Sequence, residues 1–193
     1  MQSICVYCGS SDKPNSGYLN AAYEMGSAIA AQGLQLVYGA GVTGLMGAVA
    51  NGALENGGEV IGVLPEIFNT PTLAHFGLTR LEIVADMHQR KARLAELADG
   101  FIALPGGYGT FEELFEILTW AQIGLHRKPV GLLNTSQYFD PLLSLVEKAQ
   151  SEGFIYEEHR ALFTASDNPG TLIKTMLAYQ PPSSLDRWLT RHG

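Results

Sequence analysis

Gly100-Phe101-Ile102-Ala103-Leu104-Pro105-Gly106-Gly107-Tyr108-Gly109-Thr110-Phe111-Glu112-Glu113 is the stretch on which the reading of this chain turns. An apolar run of strand length, Gly100–Leu104, empties into a glycine-rich turn, and a segment of helical period, Thr110–Gly124, follows. That strand–turn–helix unit recurs in both directions. Further candidate strands are Ser3–Tyr7, Leu34–Tyr38, Glu59–Leu64, Leu81–Ala85, Pro129–Leu133 and Leu162–Ala165. Several are unbroken Val/Ile/Leu runs, as expected of parallel strands covered on both faces. Candidate helices lie between them at Ser16–Gln32, Leu45–Asn56, Met87–Ala98, Asp140–Glu152 and Pro169–Leu177. Asp140-Pro141 and Asn168-Pro169 each set a capping side chain before a proline suited to the first helical turn. Gly33, Gly57-Gly58 and Gly153 stand where left-handed C-caps would fall.

The pattern predicts a single α/β domain: a doubly wound, Rossmann-like parallel sheet of about seven strands with helices on both faces. It covers residues 1–180, with 181–193 as a C-terminal tail. The chain has 193 residues, enough for one full core, and is 46% hydrophobic and 16% charged, which excludes a disordered chain. A net charge of -7 argues against a nucleic-acid surface. No apolar run approaches the ~20 residues that span a bilayer, and the first residues lack the features of a signal peptide. A cytoplasmic protein touching neither membrane nor nucleic acid is expected. Cys5 and Cys8 form a C-x-x-C, but strand spacing sends the two side chains to opposite faces, so core cysteines are expected. His75, His88, His126, His159 and His192 have no metal-ligand spacing, and no metal is expected.

Three strand exits carry glycine: Gly9-Ser10-Ser11, Gly39-Ala40-Gly41-Val42-Thr43-Gly44, and Pro105 through Thr110. Such turns let main-chain amides approach an anion, helped by the positive end of the following helix. The second matches G-x-G-x-x-G and, with Glu66 near the next strand end, would suit a dinucleotide; the same glycines also serve plain tight turns. No Walker lysine follows any of the loops, and no G-x-S-x-G occurs, so neither NTP hydrolysis nor serine hydrolysis is indicated. Thr110 and Glu113 form a capping-box pattern, the hydroxyl capping the helix and the carboxylate reaching back. A phosphate in the loop would compete for the same amides and turn Glu113 elsewhere. Met87, Arg90, Leu94 and Leu97 share one helical stripe, which sets Arg90 on the buried face at the end nearest the strand exits. A buried arginine needs an anion, either a protein carboxylate or the substrate; its location favours the substrate. Lys91 turns away from that stripe, to solvent or to a neighbouring phosphate.

Pro105-Gly106-Gly107-Tyr108-Gly109-Thr110-Phe111-Glu112-Glu113 resembles the PGGxGTxxE motif of the LOG family of cytokinin-activating phosphoribohydrolases. Met87–Lys91 is similar to that family's second motif around an Arg-Lys pair. The likeness runs from Cys8-Gly9-Ser10 through Tyr38-Gly39-Ala40-Gly41 to Thr119-Trp120-Ala121-Gln122. It implies a homodimer, with sites at the subunit interface, that hydrolyses the N-glycosidic bond of purine nucleoside 5′-monophosphates. AMP or its N6-substituted cytokinin riboside counterparts would yield free base and ribose 5-phosphate. The resemblance makes Arg90 and Glu113 catalytic, gives phosphate to Gly106–Thr110, and lines the nucleotide pocket with Glu66, Met87, Lys91 and Thr119; the glycine-rich exits add Gly9, Ser10, Gly41 and Gly44 as substrate-binding candidates. No cofactor is expected; an older label for the family, lysine decarboxylase, finds no lysine set up for a pyridoxal Schiff base. Two alternatives stand beside this reading: a non-catalytic nucleotide or cofactor carrier, and an NAD(P)-dependent oxidoreductase built on Gly39–Gly44.

Overall fold

A computed structural model describes residues 1–182, so the expected tail and His192 fall outside the described residues from 183 onward. The elements run β1 (Ser3–Tyr7), α1 (Ser16–Ala31), β2 (Gln35–Tyr38), α2 (Gly44–Glu55), β3 (Val60–Pro65), β4 (Arg80–Val84), α3 (Met87–Leu97), β5 (Gly100–Ala103), α4 (Tyr108–Gln122), β6 (Val130–Leu133), α5 (Asp140–Ser151), β7 (Phe163–Ser166) and α6 (Pro169–Leu177). All seven strands are parallel, in the order β4-β3-β2-β1-β5-β6-β7. The doubly wound sheet expected from the alternating runs is therefore present.

Strand alternation splits the core. Ile4, Val6 and Cys8 join Met25 and Ile29 of α1, Leu45 and Val49 of α2 and Leu172 of α6. Cys5 and Tyr7 face the other way, onto Leu94 of α3 and Leu114 and Ile117 of α4. Both cysteines are free and buried. The chain winds outward from β1 to β4 and then returns to lay β5 on the other side of β1. This reversal opens a crevice at the carboxyl ends of β1 and β5, where open α/β sheets bind ligands.

Gly33, Gly57 and Gly153 follow their helices with φ of 65°, 75° and 81°, as C-cap geometry requires. The Asn168 side chain caps α6 by accepting from the Thr171 amide. Asp140 does not cap α5: Phe139 holds the cap position, and Asp140 is the first helical residue. Its carboxylate instead accepts from the Asn134 amide group, whose oxygen takes the Phe139 N–H; a nearby side chain outbids the local pattern. No helix among the described residues is long and apolar enough to cross a membrane.

Candidate active site

The first helical turn of α4 departs from its expected form. Gly107, not Thr110, is the N-cap, extended at φ -102° and ψ -153°, and the first helical bond runs from the Phe111 amide to the Gly107 carbonyl. The helix thus starts two residues early, which removes the capping box: Thr110 sits inside the first turn and Glu113 cannot reach back to a Thr110 cap. Among the described residues, the amides of Gly106, Gly107, Tyr108, Gly109 and Thr110 have no acceptor. Five consecutive amides at a helix N-terminus form a cradle for an anion.

Glu113 lies one turn further on and faces α3. Arg90 Nη1 donates to Glu113 Oε1 at 2.8 Å, with the residues 7% and 5% exposed. The buried stripe of α3 meets the inner face of α4, so of the two anions open to Arg90 the chain itself supplies a carboxylate, while the guanidinium still borders both hollows described below. Burial pushes the Glu113 carboxyl above its usual range, while the Arg90 charge beside it pulls the other way. Burial likewise raises the thiols of Cys5 and Cys8, keeping both protonated and inert near neutrality.

Gly39, at the exit of β2, is what lets Arg90 in. A Cβ there would lie 1.9 Å from Nη2, so the guanidinium occupies the space a side chain would fill. At the neighbouring exit part of the main chain is already tied. The Leu45 and Met46 amides, in the first turn of α2, donate to the Gly9 carbonyl at 3.0 and 3.3 Å. Gly44, left-handed at φ 60°, packs against the Ser10–Ser11 main chain, where a Cβ would be 2.2 Å from the Ser11 carbonyl oxygen. Main chain thus takes up the Leu45 and Met46 amides at the start of α2, two of the donors a dinucleotide pyrophosphate would use.

Two adjoining hollows flank Arg90. One, of about 330 Å³, lies between the β1 and β5 exits and is lined by Cys8, Gly9, Ser10, Met87, Arg90, Gly107 to Thr110 and Glu113. The other, also about 330 Å³, lies beyond Gly41 and is walled by Met46, Leu64, Pro65, Phe68, Leu73 and Met87. A polar chamber over free amides thus opens onto an apolar one, with Arg90 at the junction. A larger hollow of about 500 Å³ sits at the opposite, amino ends of the strands, around Gln2, Gln35, Glu59 and Asp99. Asp99 there already accepts from the Gln2 and Ser3 amides, and the hollow holds none of the groups described above.

Five residues expected at the site line neither hollow, Gly44 against the Ser10–Ser11 main chain among them. Gly106 contributes its amide to the cradle but lines neither hollow, its carbonyl accepting from the Tyr138 hydroxyl behind. Lys91 bridges α3 to α4, paired with Glu112 and, at 3.0 Å, with Glu116. Glu66 opens an exposed 3-10 turn after β3, and Thr119 is exposed on α4, its hydroxyl donating to the Phe115 carbonyl. Neither borders the two hollows within one chain. The sequence reading missed Met46 and Phe68. Nothing in a Met on a helix, or a Phe in the long Pro65–Thr79 connection, marks either as a wall. Among the described residues no group of three His, Cys, Asp or Glu could hold a metal ion.

The family described as "possible lysine decarboxylase" matches residues 46–176. A cytokinin riboside 5′-monophosphate phosphoribohydrolase of Rhodococcoides fascians is 56% identical over 155 residues, 80% of this chain and 78% of that protein. The chain belongs to the LOG family. LOG3 of Arabidopsis thaliana, a protein of the same name, is 46% identical over 178 residues, 92% of this chain and 83% of its own. The Oryza sativa subsp. japonica member is 45% identical over 178 residues, 92% and 74% respectively. Among solved structures, the molybdenum cofactor binding protein of Rippkaea orientalis superposes with a TM-score of 0.70 at 23% identity, over 91% of this chain and 95% of that one. At that identity the likeness of this LOG-family chain to a cofactor-binding protein concerns the fold alone.

Proposed function

We propose that this LOG-family protein is a phosphoribohydrolase that cleaves the N-glycosidic bond of purine nucleoside 5′-monophosphates. The observation that carries the reading is the buried Arg90–Glu113 pair beside five unpartnered amides at the start of α4. The amides hold the 5′-phosphate, so binding energy from a non-reacting group fixes the ribose over Glu113. Cleavage of the C1′–N bond leaves positive charge on the sugar, as in glycoside hydrolysis. A carboxylate facing that charge stabilises it and orients the water whose oxygen bonds to C1′. Arg90 holds Glu113 ionised and in place; as the water's oxygen bonds to C1′ the C1′–N bond breaks, and the proton the water gives up balances the one the base carries away. The apolar chamber walled by Met46, Leu64, Phe68 and Leu73 suits a base with an apolar substituent.

The same reading makes the protein a cytoplasmic homodimer with its sites at the subunit interface. Tyr108, Phe115, Thr119 and Ile123 form one stripe along α4 by their offsets of seven, four and four. All four are exposed, and the stripe starts at the cavity mouth. A second copy against that stripe would bring Thr119 to a site, and a copy over the β3 exit would do the same for Glu66. The test is incubation of pure protein with AMP and with an N6-isopentenyl AMP, followed by chromatography. Free base and ribose 5-phosphate in equal amounts are expected. Bound but intact nucleotide would instead make the protein a carrier.

A further inference from the structure

Behind the cradle, the β6 exit makes a turn that its sequence does not invite. Ser136 and Gln137 are both left-handed, at φ 52° and 60°, and neither is glycine. Consecutive non-glycine residues in that region persist only where the surroundings hold them, and such outliers gather at ligand clamps. The turn delivers Tyr138. Its ring is gripped by Phe139 edge-on at 5.1 Å, by Tyr18 edge-on at 6.0 Å and by Phe111 of α4 in a stack at 6.5 Å. Its hydroxyl donates to the carbonyl of Gly106.

That carbonyl belongs to the same planar peptide unit as the Gly107 N–H, and in a trans peptide the two point in opposite directions. Fixing one fixes the other. We infer that Tyr138 is a positioning residue for the anion cradle: by holding the Gly106 carbonyl inward, it turns the Gly107 amide out toward the phosphate. The preceding peptide is held in the same manner, since the Pro105 carbonyl accepts from the Gly9 amide at 3.1 Å and leaves the Gly106 N–H on the opposite side, among the free amides of the cradle. Two successive carbonyls are therefore tied back, one by the β1 exit and one by the β6 exit. The Cα of Gly106 is itself closely packed, since a Cβ there would fall 2.1 Å from Thr110 Oγ1. The inference rests on the phosphate reading given above and adds to it the group that orients the cradle.

Tyr138→Phe in the full chain removes the hydroxyl and keeps the ring contacts. The KM for AMP should rise about five- to tenfold, as for one lost oriented hydrogen bond, with kcat within about twofold of the parent. The inhibition constant of inorganic phosphate should rise by the same factor, while binding of adenosine, which lacks the phosphate, stays unchanged. A merely structural hydroxyl would lower the melting temperature and leave the phosphate-to-adenosine contrast where it was. Tyr138→Leu serves as the control for packing: it should lose both stability and phosphate affinity. Parent protein that binds phosphate, with Tyr138→Phe binding it equally well, would overturn the role of Tyr138 alone. Parent protein that binds neither AMP nor phosphate would overturn the functional reading and this inference together.

Discussion

Gly39 and Arg90 occupy one another's space: the Nη2 atom of the arginine stands 1.9 Å from where a Cβ on the glycine would be. Gly39→Ala therefore drives the guanidinium out of its ion pair without touching Glu113. Base release should fall on the order of 10²-fold, the usual cost of a misplacement of about an ångström near the reacting centre. Circular dichroism should stay that of the parent, and near-normal turnover would show that Arg90 tolerates displacement.

Glu113→Gln keeps an acceptor for Arg90 and removes the negative charge. Turnover of AMP should drop by about 10²–10⁴-fold while calorimetry still records AMP binding, because the phosphate cradle is intact. Retained turnover would return Glu113 to a purely structural role.

The raised Glu113 carboxyl links activity and stability to pH in opposite senses. Activity needs the carboxylate, so kcat/KM should climb with pH on a limb centred above the ordinary glutamate value of about 4.3. Stability runs the other way: the folded protein holds this proton where the unfolded chain has released it. The favourable contribution is therefore present below the unfolded value and is lost as pH rises through the folded one. Denaturant titrations of parent and Glu113→Gln across that window should show the variant gaining relative stability as pH rises.

Gly106 and Gly109 separate packing from binding. A Cβ at Gly106 meets Thr110 Oγ1, whereas one at Gly109 meets nothing within 4 Å. Gly106→Ala should distort the cradle and abolish phosphate affinity. Gly109→Ala, inside the helix, should raise stability by about 0.5–1 kcal/mol while its methyl crowds the bound phosphate. Unfolding curves and phosphate inhibition measured on both variants would check the contrast.

The two buried thiols should resist a water-soluble disulfide reagent in the native protein and react once guanidinium unfolds it. Cys8 borders the cavity, yet burial holds its thiol protonated. Rapid native labelling of one equivalent would contradict this.

The winding of the sheet was written plainly in the sequence, because runs such as Val60–Leu64 and Phe101–Leu104 have only one way to hide both faces. The left-handed caps at Gly33 and Gly153 were equally plain, since that geometry selects for glycine. What spacing could not convey was partnership between separate elements. The α3 stripe put Arg90 inside but not opposite Glu113, which depends on how α3 and α4 lie over β1 and β5. Lys91 reads as a phosphate contact or a solvated charge until Glu112 and Glu116 are found beside it. Thr110 and Asp140 fit capping patterns whose local logic was overruled, one by an earlier helix start at Gly107 and the other by Asn134.

Beyond the β1–β5 pairing, Gly9 ties Pro105 on one side and the first turn of α2 on the other, so the seam between the two wings of the sheet ends at the site. A backbone cut between Ala98 and Asp99 would leave Arg90 on one fragment and the amide cradle with Glu113 on the other. Neither fragment would then own a complete nucleotide site. Ligand added to the pair would bridge the seam and favour their reassociation, so the nucleotide itself would report whether the wings had rejoined.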